Sequence, residues 1–102
     1  MNKENKKLME NIKKFDKAKL PKWFHGELYE KGSEVRNRFS GDSCYLNNIE
    51  LSMYDFIMGA QMLINMKGGV FSSNTQNEQK LMQKGLEWFK ETNPEAYKIL
   101  LN

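Results

Sequence analysis

The chain has 102 residues, a length typical of a single domain with one modest core. Its 39% hydrophobic and 28% charged residues are typical of a folded, soluble protein. One cysteine, Cys44, cannot form an internal disulfide, so we expect a reducing compartment, the cytoplasm. The longest apolar stretch, residues 49–66, is interrupted by polar side chains, and the N-terminus is polar. We therefore expect neither a membrane span nor a signal peptide.

Charge is distributed unevenly along the chain. Residues 1–22 contain eight lysines against three acidic residues, a net charge of +5, whereas the remainder contains eight basic against ten acidic residues, a net charge of −2. Three apolar residues recur at helical spacing within the basic region: Leu8, Ile12 and Phe15. We therefore predict a basic amphipathic helical arm over residues 1–21 and a single α+β domain over residues 22–102.

The predicted arm has two interpretations. A short run of charge is most often a solvated extension. The same lysines also suit nucleic acid or an acidic partner protein. The lysines expected to contact nucleic acid are Lys6, Lys7, Lys13 and Lys14.

Two short runs of alternating polarity, residues 34–39 and 43–46, predict an antiparallel β-hairpin. A two-residue type II′ turn at Gly41-Asp42 places Phe39 opposite Cys44. The apolar face of this hairpin contains Val35, Phe39, Cys44 and Leu46. The opposite face contains Glu34, Arg36, Arg38 and Tyr45.

Residues 48–67 predict a central helix, with Asn47 and Glu50 forming an N-terminal capping box and Gly68 following its end. Apolar residues surround almost its whole circumference. We therefore expect it to be buried on most sides, against the hairpin, the C-terminal helices or a second copy of the chain. Part of this surface is rich in methionine, which suits a core but also an adaptable contact surface. The candidate interface residues are Tyr54, Met58, Met62 and Met66.

Two further helices are predicted after this one. The first begins near residues 74–76, where Thr75 and Glu78 match a second capping box, and Pro94 opens the last helix. Residues 27–32 predict a third short strand or a short helix. The predicted fold is therefore α+β: a hairpin or three-stranded meander packed on a central helix and a C-terminal helix pair, preceded by the basic helix.

Few residues suit catalysis. Gly41-Asp42-Ser43 matches the nucleophile triplet of one class of serine hydrolases, but its place between two strands favours a turn. The single histidine, His25, cannot form a zinc site with one cysteine. Asp55 lies in a nearly apolar stretch, so we expect it to be exposed or paired with a lysine or arginine, and a structural pair is favoured over a role as a binding-site acid. We therefore expect no enzyme, no metal and no cofactor, with a site built on His25 and Asp55 as the least favoured alternative.

Two features suit a small anionic ligand. Arg36, Arg38 and Tyr45 form either a cationic stacking platform or a solvated cross-strand contact. The segment at residues 68–74 precedes a helix, so its backbone amides either face an anion or belong to a plain loop. The candidate ligand-binding residues are Arg36, Arg38, Tyr45, Ser73 and Asn74.

Five segments of the chain resemble a known family. They are "WFHGELY", "VRNRFSG", "ELSMYDFIMGA", "KGLEWF" and "NPEAYKILL", and they fall within residues 20–101. The segments are similar to small proteins of tailed phages that infect marine cyanobacteria, a family to which no activity is assigned. The resemblance implies a phage-encoded protein that acts in the cytoplasm of its bacterial host.

We therefore expect a non-enzymatic accessory protein that binds a host macromolecule and forms a homo-oligomer. One alternative is an oligomer that sequesters a small anionic ligand, such as a nucleotide, between its subunits. A second alternative is nucleic-acid binding through the lysine-rich arm, which predicts binding that weakens steeply with salt.

Overall fold

The computed structural model describes residues 20–101 and confirms the predicted α+β class. The elements in chain order are β1 (Ser33–Arg36), β2 (Ser43–Leu46), α1 (Asn48–Met66), a 3₁₀ turn (Ser73–Thr75), α2 (Gln76–Thr92) and α3 (Pro94–Leu100). The predicted amphipathic helix of the arm, with its four candidate nucleic-acid lysines, lies outside the described residues.

The hairpin forms, but with a different register from the predicted one. β1 and β2 pair antiparallel, with Val35 opposite Cys44 and Arg36 opposite Ser43. The predicted pairing of Phe39 with Cys44 is wrong, because a longer loop closes the strands. Since the register moves by an even number of residues, Val35 and Cys44 keep their predicted common face. Phe39 instead lies in the loop, where it is 96% exposed.

The side chain of Asn37 closes this longer loop. Its Oδ1 accepts hydrogen bonds from the backbone N–H groups of Phe39 at 2.8 Å and Ser40 at 3.3 Å. The Asn37 N–H donates to the Asp42 carbonyl at 2.8 Å, and the Gly41 N–H donates to the Asn37 carbonyl at 2.9 Å. Gly41 has φ +81°, which glycine adopts without strain. An Asx-type turn at Asn37 therefore replaces the predicted two-residue turn.

Residues 27–32 form neither a third strand nor a helix. The backbone N–H of Tyr29 donates to Ser52 Oγ at 3.0 Å, so this segment is tied to α1 and not to the sheet. Gly32 lies so close to the carbonyl of Leu46 that any side chain at this position would clash. The three-stranded alternative is therefore wrong, and the sheet formed by the described residues has two strands.

The predicted capping box at the start of α1 is confirmed, and its Glu50 side chain also contacts Asn93 at the start of α3. Asn47 Oδ1 accepts from the Glu50 N–H at 2.9 Å, and Glu50 Oε1 accepts from the Asn47 N–H at 3.0 Å. The other carboxylate oxygen of Glu50 accepts from Asn93 Nδ2 at 2.9 Å. Asn93 Oδ1 in turn accepts from the Ala96 N–H at 3.1 Å and caps α3, in which Pro94 is a first-turn residue as predicted. One chain of hydrogen bonds therefore joins the N-termini of α1 and α3.

The second predicted capping box, at the start of α2, does not form. The Thr75 side chain is fully buried, and its hydroxyl donates towards the carbonyls of Gly69 at 2.9 Å and Ser72 at 3.0 Å. Glu78 instead forms an ion pair with Lys67, beyond the end of α1. The Thr75 hydroxyl therefore holds the loop between the two helices and does not cap α2.

The core lies where α1, α2, α3 and β2 meet. Its buried residues are Leu46, Met53, Ile57, Phe89, Ala96 and Leu100. Gly85 allows α1 and α2 to approach closely, because a Cβ atom at this position would lie 2.8 Å from Ile57 Cγ1. This tight contact leaves the two flanks of α1 to be covered by other parts of the chain.

Candidate functional site

One flank of α1 is covered by the aromatic segment that precedes the hairpin. The rings of Trp23, Phe24 and His25 surround Phe56, with centroid separations of 6.0, 5.2 and 5.5 Å. Gly26 lies against the same ring, because a Cβ atom there would be 3.1 Å from Phe56 Cδ1. The His25 Nδ1 atom also lies 3.1 Å from the Trp23 carbonyl. His25 therefore has structural contacts on this flank.

Ser52 and Tyr29 contribute polar groups to this flank that have partners within the chain. Ser52 accepts from the Tyr29 N–H and donates its own hydroxyl proton to the Asn48 carbonyl at 2.7 Å. Burial raises the pKa of the Tyr29 hydroxyl, and the nearby carboxylate of Asp55 raises it further through its charge and a hydrogen bond. Asp55 is exposed, which is one of the two settings expected for it, and its structural partner is Tyr29 and not a lysine or arginine.

The opposite flank of α1 borders a half-open groove with a volume of about 750 Å³. The hairpin, α1, α2 and the end of α3 all contribute to the lining of this groove. Its apolar side chains include Tyr54, Met58, Met62, Met66, Met82, Leu86 and Leu101. Arg36, Asn37, Arg38 and Phe39 line it from the hairpin. We call this feature the methionine groove.

The methionine groove contradicts the expectation that α1 is buried on nearly every side. Met62 is 64% exposed, Leu63 44% and Met66 75%, all in the last two turns of α1. A two-stranded hairpin with four residues in each strand is too short to cover this end of a 19-residue helix. Within the described chain, the helix is therefore covered along its first turns and on one side only of its last turns.

Two arginines give the methionine groove its charge. Neither Arg36 nor Arg38 has an ion-pair partner among residues 20–101, and no aspartate or glutamate of this part of the chain lines the groove. Burial raises the pKa of the Tyr54 hydroxyl, and the charge of the nearby Arg38 guanidinium opposes this effect. The positive charge of Arg38 therefore acts on Tyr54, the first residue of α1 that lines the groove.

Asn37 fixes the position of these arginines. Besides closing the hairpin loop, its Nδ2 donates to the Ile99 carbonyl of α3 at 2.8 Å. The loop is therefore held against the end of α3. This contact could not be predicted from the sequence, because the two residues lie 62 positions apart along the chain.

Two sets of candidate residues that the sequence treated as separate meet in the methionine groove. Arg36 and Arg38 come from the proposed ligand set, and the four proposed interface residues come from α1. Tyr45 shares the Arg36 face of the hairpin, but neither it nor Ser73 or Asn74 lines the groove. Met82 and Leu86 also line the groove, and sequence reasoning did not propose them as site residues, because a helical apolar period does not separate a core residue from a groove residue.

The candidate catalytic residues have other contacts. The Ser43 hydroxyl donates to Glu34 Oε1 at 3.1 Å across the hairpin. Burial raises the pKa of the Cys44 thiol, which disfavours the reactive thiolate.

No group of three or more histidine, cysteine, aspartate or glutamate side chains in the described part of the chain is arranged to hold a metal ion. No helix between residues 20 and 101 has the length and apolarity needed to cross a membrane.

The chain matches no protein-family model, no curated protein and no solved structure.

Proposed function

We propose that this protein is a non-enzymatic binding protein that holds an apolar segment of a partner macromolecule in the methionine groove. The observation that carries the proposal is that exposed methionines and two guanidinium groups, which have no ion-pair partner among residues 20–101, line one concave surface. Methionine side chains are flexible and polarizable, so they adapt to the shape of a bound segment. Contiguous exposed apolar surface of this kind typically marks an interaction site.

The biological setting of the proposal comes from the resemblance of the sequence to phage proteins. In that setting, the partner is a macromolecule of a bacterial host, and the site of action is the host cytoplasm. The proposal that the methionine groove binds a partner rests on the structure of the groove and does not require this biological setting.

Site-specific photocrosslinking tests the proposal in cells that contain the protein. A benzoylphenylalanine replacing Met62 lies in the groove, whereas the same residue replacing Glu91 lies on an exposed part of α2 outside it. We expect a covalent adduct of defined mass from position 62 and none from position 91. Identical adduct patterns at both positions, or no adduct at position 62, would contradict the proposal.

Sequestration of a small anionic ligand is a second candidate, and it is favoured by Arg36 and Arg38, which have no ion-pair partner in the described part of the chain. A groove of about 750 Å³ is within the size range of small-molecule sites. A bound nucleotide would raise the melting temperature of the wild-type protein and not that of an Arg36→Ala/Arg38→Ala variant. An equal response of both proteins would place the nucleotide elsewhere.

Self-association through the methionine groove is the third use of this surface that the exposed Met62 and Met66 favour. The Met62→Asp substitution places a charge on this surface without disturbing the core. If a second copy occupies the groove, sedimentation equilibrium will show a lower mass for the folded variant than for the wild type. An unchanged mass would remove self-association through this face.

A further inference from the structure

We propose that the occupant of the methionine groove is an amphipathic α-helix of a partner protein with acidic residues at one end. This inference rests on the proposed function and names the chemistry of the partner. It depends on three properties of the groove: its length, the arrangement of its apolar side chains and the position of its charges.

The groove has the length of a short helix. Its α1 side runs from Tyr54 to Met66, which corresponds to a rise of about 18 Å. A bound helix of about three turns has the same length. Such a helix presents apolar side chains at positions i, i+4 and i+7, the pattern by which amphipathic helices bind in hydrophobic grooves.

The apolar side chains form two rows that suit a third helix. Met58, Met62 and Met66 recur every four residues along α1, and Met82 and Leu86 have the same spacing along α2. Residues four apart lie on one face of a helix, so each set forms a ridge. The depression between two neighbouring ridges accepts the ridge of another helix. This arrangement favours a helical occupant over an extended strand.

The positive charge of the groove favours a bound helix that carries acidic residues. Among residues 20–101, the charged side chains that line the groove are Arg36 and Arg38, both from the hairpin, and the charge of Arg38 acts on Tyr54, the first groove-lining residue of α1. Arginine forms strong bidentate hydrogen bonds with carboxylates. The C-terminal end of a helix also attracts cations, because its free carbonyl groups carry partial negative charge. The bound helix is therefore expected to place its C-terminal turn, with one or two carboxylates, beside the two arginines.

The same charges disfavour the basic arm of this chain as the occupant. Residues 1–22 have the apolar spacing of an amphipathic helix, but they carry a net charge of +5. If the arm occupied the groove, its lysines would lie beside Arg36 and Arg38, and the like charges would repel one another. An acidic helix from another protein satisfies both the apolar rows and the charge, whereas the arm satisfies only the first.

Fluorescence anisotropy with synthetic helices tests the inference on the full chain. The first labelled peptide has about fourteen residues, with leucines at helical spacing and two glutamates in its last turn. The second has lysines in place of the glutamates, and a third has the sequence of residues 4–18. We expect the acidic peptide to bind at least about tenfold more tightly than either basic peptide.

Charge reversal supplies the matched control. The Arg36→Glu/Arg38→Glu variant should reverse the preference, so that the lysine peptide binds more tightly than the acidic one. A Lys80→Glu/Lys84→Glu variant makes the same change of net charge at exposed positions of α2 that do not line the groove. It should keep the wild-type preference. Circular dichroism verifies that both variants are folded.

The outcomes separate this inference from the proposed function. If both designed peptides bind equally and Met62→Asp abolishes binding, the groove binds apolar segments but the acidic partner is wrong. Tighter binding of the peptide from residues 4–18 would make the arm the occupant and overturn the inference. A dimer that depends on Met62 and that no peptide displaces would make a second copy the occupant. Absence of binding by every peptide, with no such dimer, would contradict both the inference and the proposed function.

Discussion

The two flanks of α1 differ in what covers them and in the side chains they use. On one flank, Trp23 and Phe24 pack around Phe56. On the other flank, Met62 and Met66 remain exposed beside the methionine groove. Aromatic rings have few torsions and define one arrangement, whereas methionine has three rotatable bonds and adapts to its neighbour. The helix therefore presents rigid side chains where the chain covers itself and adaptable ones where it does not.

The polar groups show the same difference. On the covered flank, Ser52 and Tyr29 are hydrogen-bonded within the chain. On the open flank, Arg36 and Arg38 have no ion-pair partner within residues 20–101. Hydrogen bonds within the chain stabilise the fold, whereas arginines without an ion-pair partner in the described residues can bind acidic groups of another molecule. This contrast predicts that substitutions on the covered flank affect stability and those on the open flank affect binding.

The largest expected effect on stability comes from Phe56→Ala. Loss of the ring removes its contacts with three neighbouring rings and leaves a gap under residues 23–25. Since the Phe56 side chain is only partly buried, we expect the free energy of unfolding to fall by about 2 kcal/mol, below the cost for a fully buried phenylalanine. Urea denaturation measures this change.

Met62→Ala is the matched control on the open flank. Its side chain is 64% exposed, so the free energy of unfolding should change by no more than about 0.5 kcal/mol. Equal losses of stability for Phe56→Ala and Met62→Ala would contradict the distinction between the flanks.

Ser52→Ala should have an intermediate effect. The substitution leaves the Tyr29 N–H without its hydrogen-bond acceptor in a partly buried position, and we expect a loss of about 1 kcal/mol in the free energy of unfolding. Ser43→Ala removes a hydroxyl at an exposed position of the hairpin and should have almost no effect. If the two serine variants have the same stability, Ser52 does not tie the covering segment to α1.

The smallest expected effect is a dependence of stability on alkaline pH. The folded state raises the pKa of Tyr29, so it favours the neutral hydroxyl. This stabilisation is fully present below the pKa of the unfolded chain and is lost as the pH rises through the folded pKa. The free energy of unfolding of the wild type, taken relative to that of Tyr29→Phe, should therefore fall as the pH rises above about 10. A constant difference across that range, measured by urea denaturation, would show that Asp55 and burial do not act on this hydroxyl.

Some local features of the fold were predictable from the sequence, whereas contacts between distant residues were not. The Asn47–Glu50 capping box and the helix start at Pro94 depend on residues a few positions apart, and both predictions are confirmed. The predicted hairpin register was wrong because the Asn37 side chain, and not a two-residue turn at Gly41-Asp42, closes the loop. The covered and open flanks of α1 could not be distinguished, because apolar periodicity does not show whether another segment covers a face.

The candidate site follows the same division. The arginines and the α1 methionines were identified as separate candidates, because residue type and spacing reveal what a side chain can do. Their meeting in one groove depends on how the hairpin loop is held against α3 by the bond between Asn37 and the Ile99 carbonyl. Tyr45 was grouped with Arg38 on the wrong register, and it lies outside the groove.

The most direct test of the open flank as a binding surface is NMR of the full chain labelled with ¹³C at the methionine methyl groups. Met58, Met62, Met66 and Met82 line the groove, whereas Met53 is fully buried in the core and serves as an internal reference. On addition of the acidic amphipathic peptide, the four groove signals should shift in a saturable manner while the Met53 signal stays in place. Groove signals that do not move, or that move no more than the signal of Met53, would contradict the account.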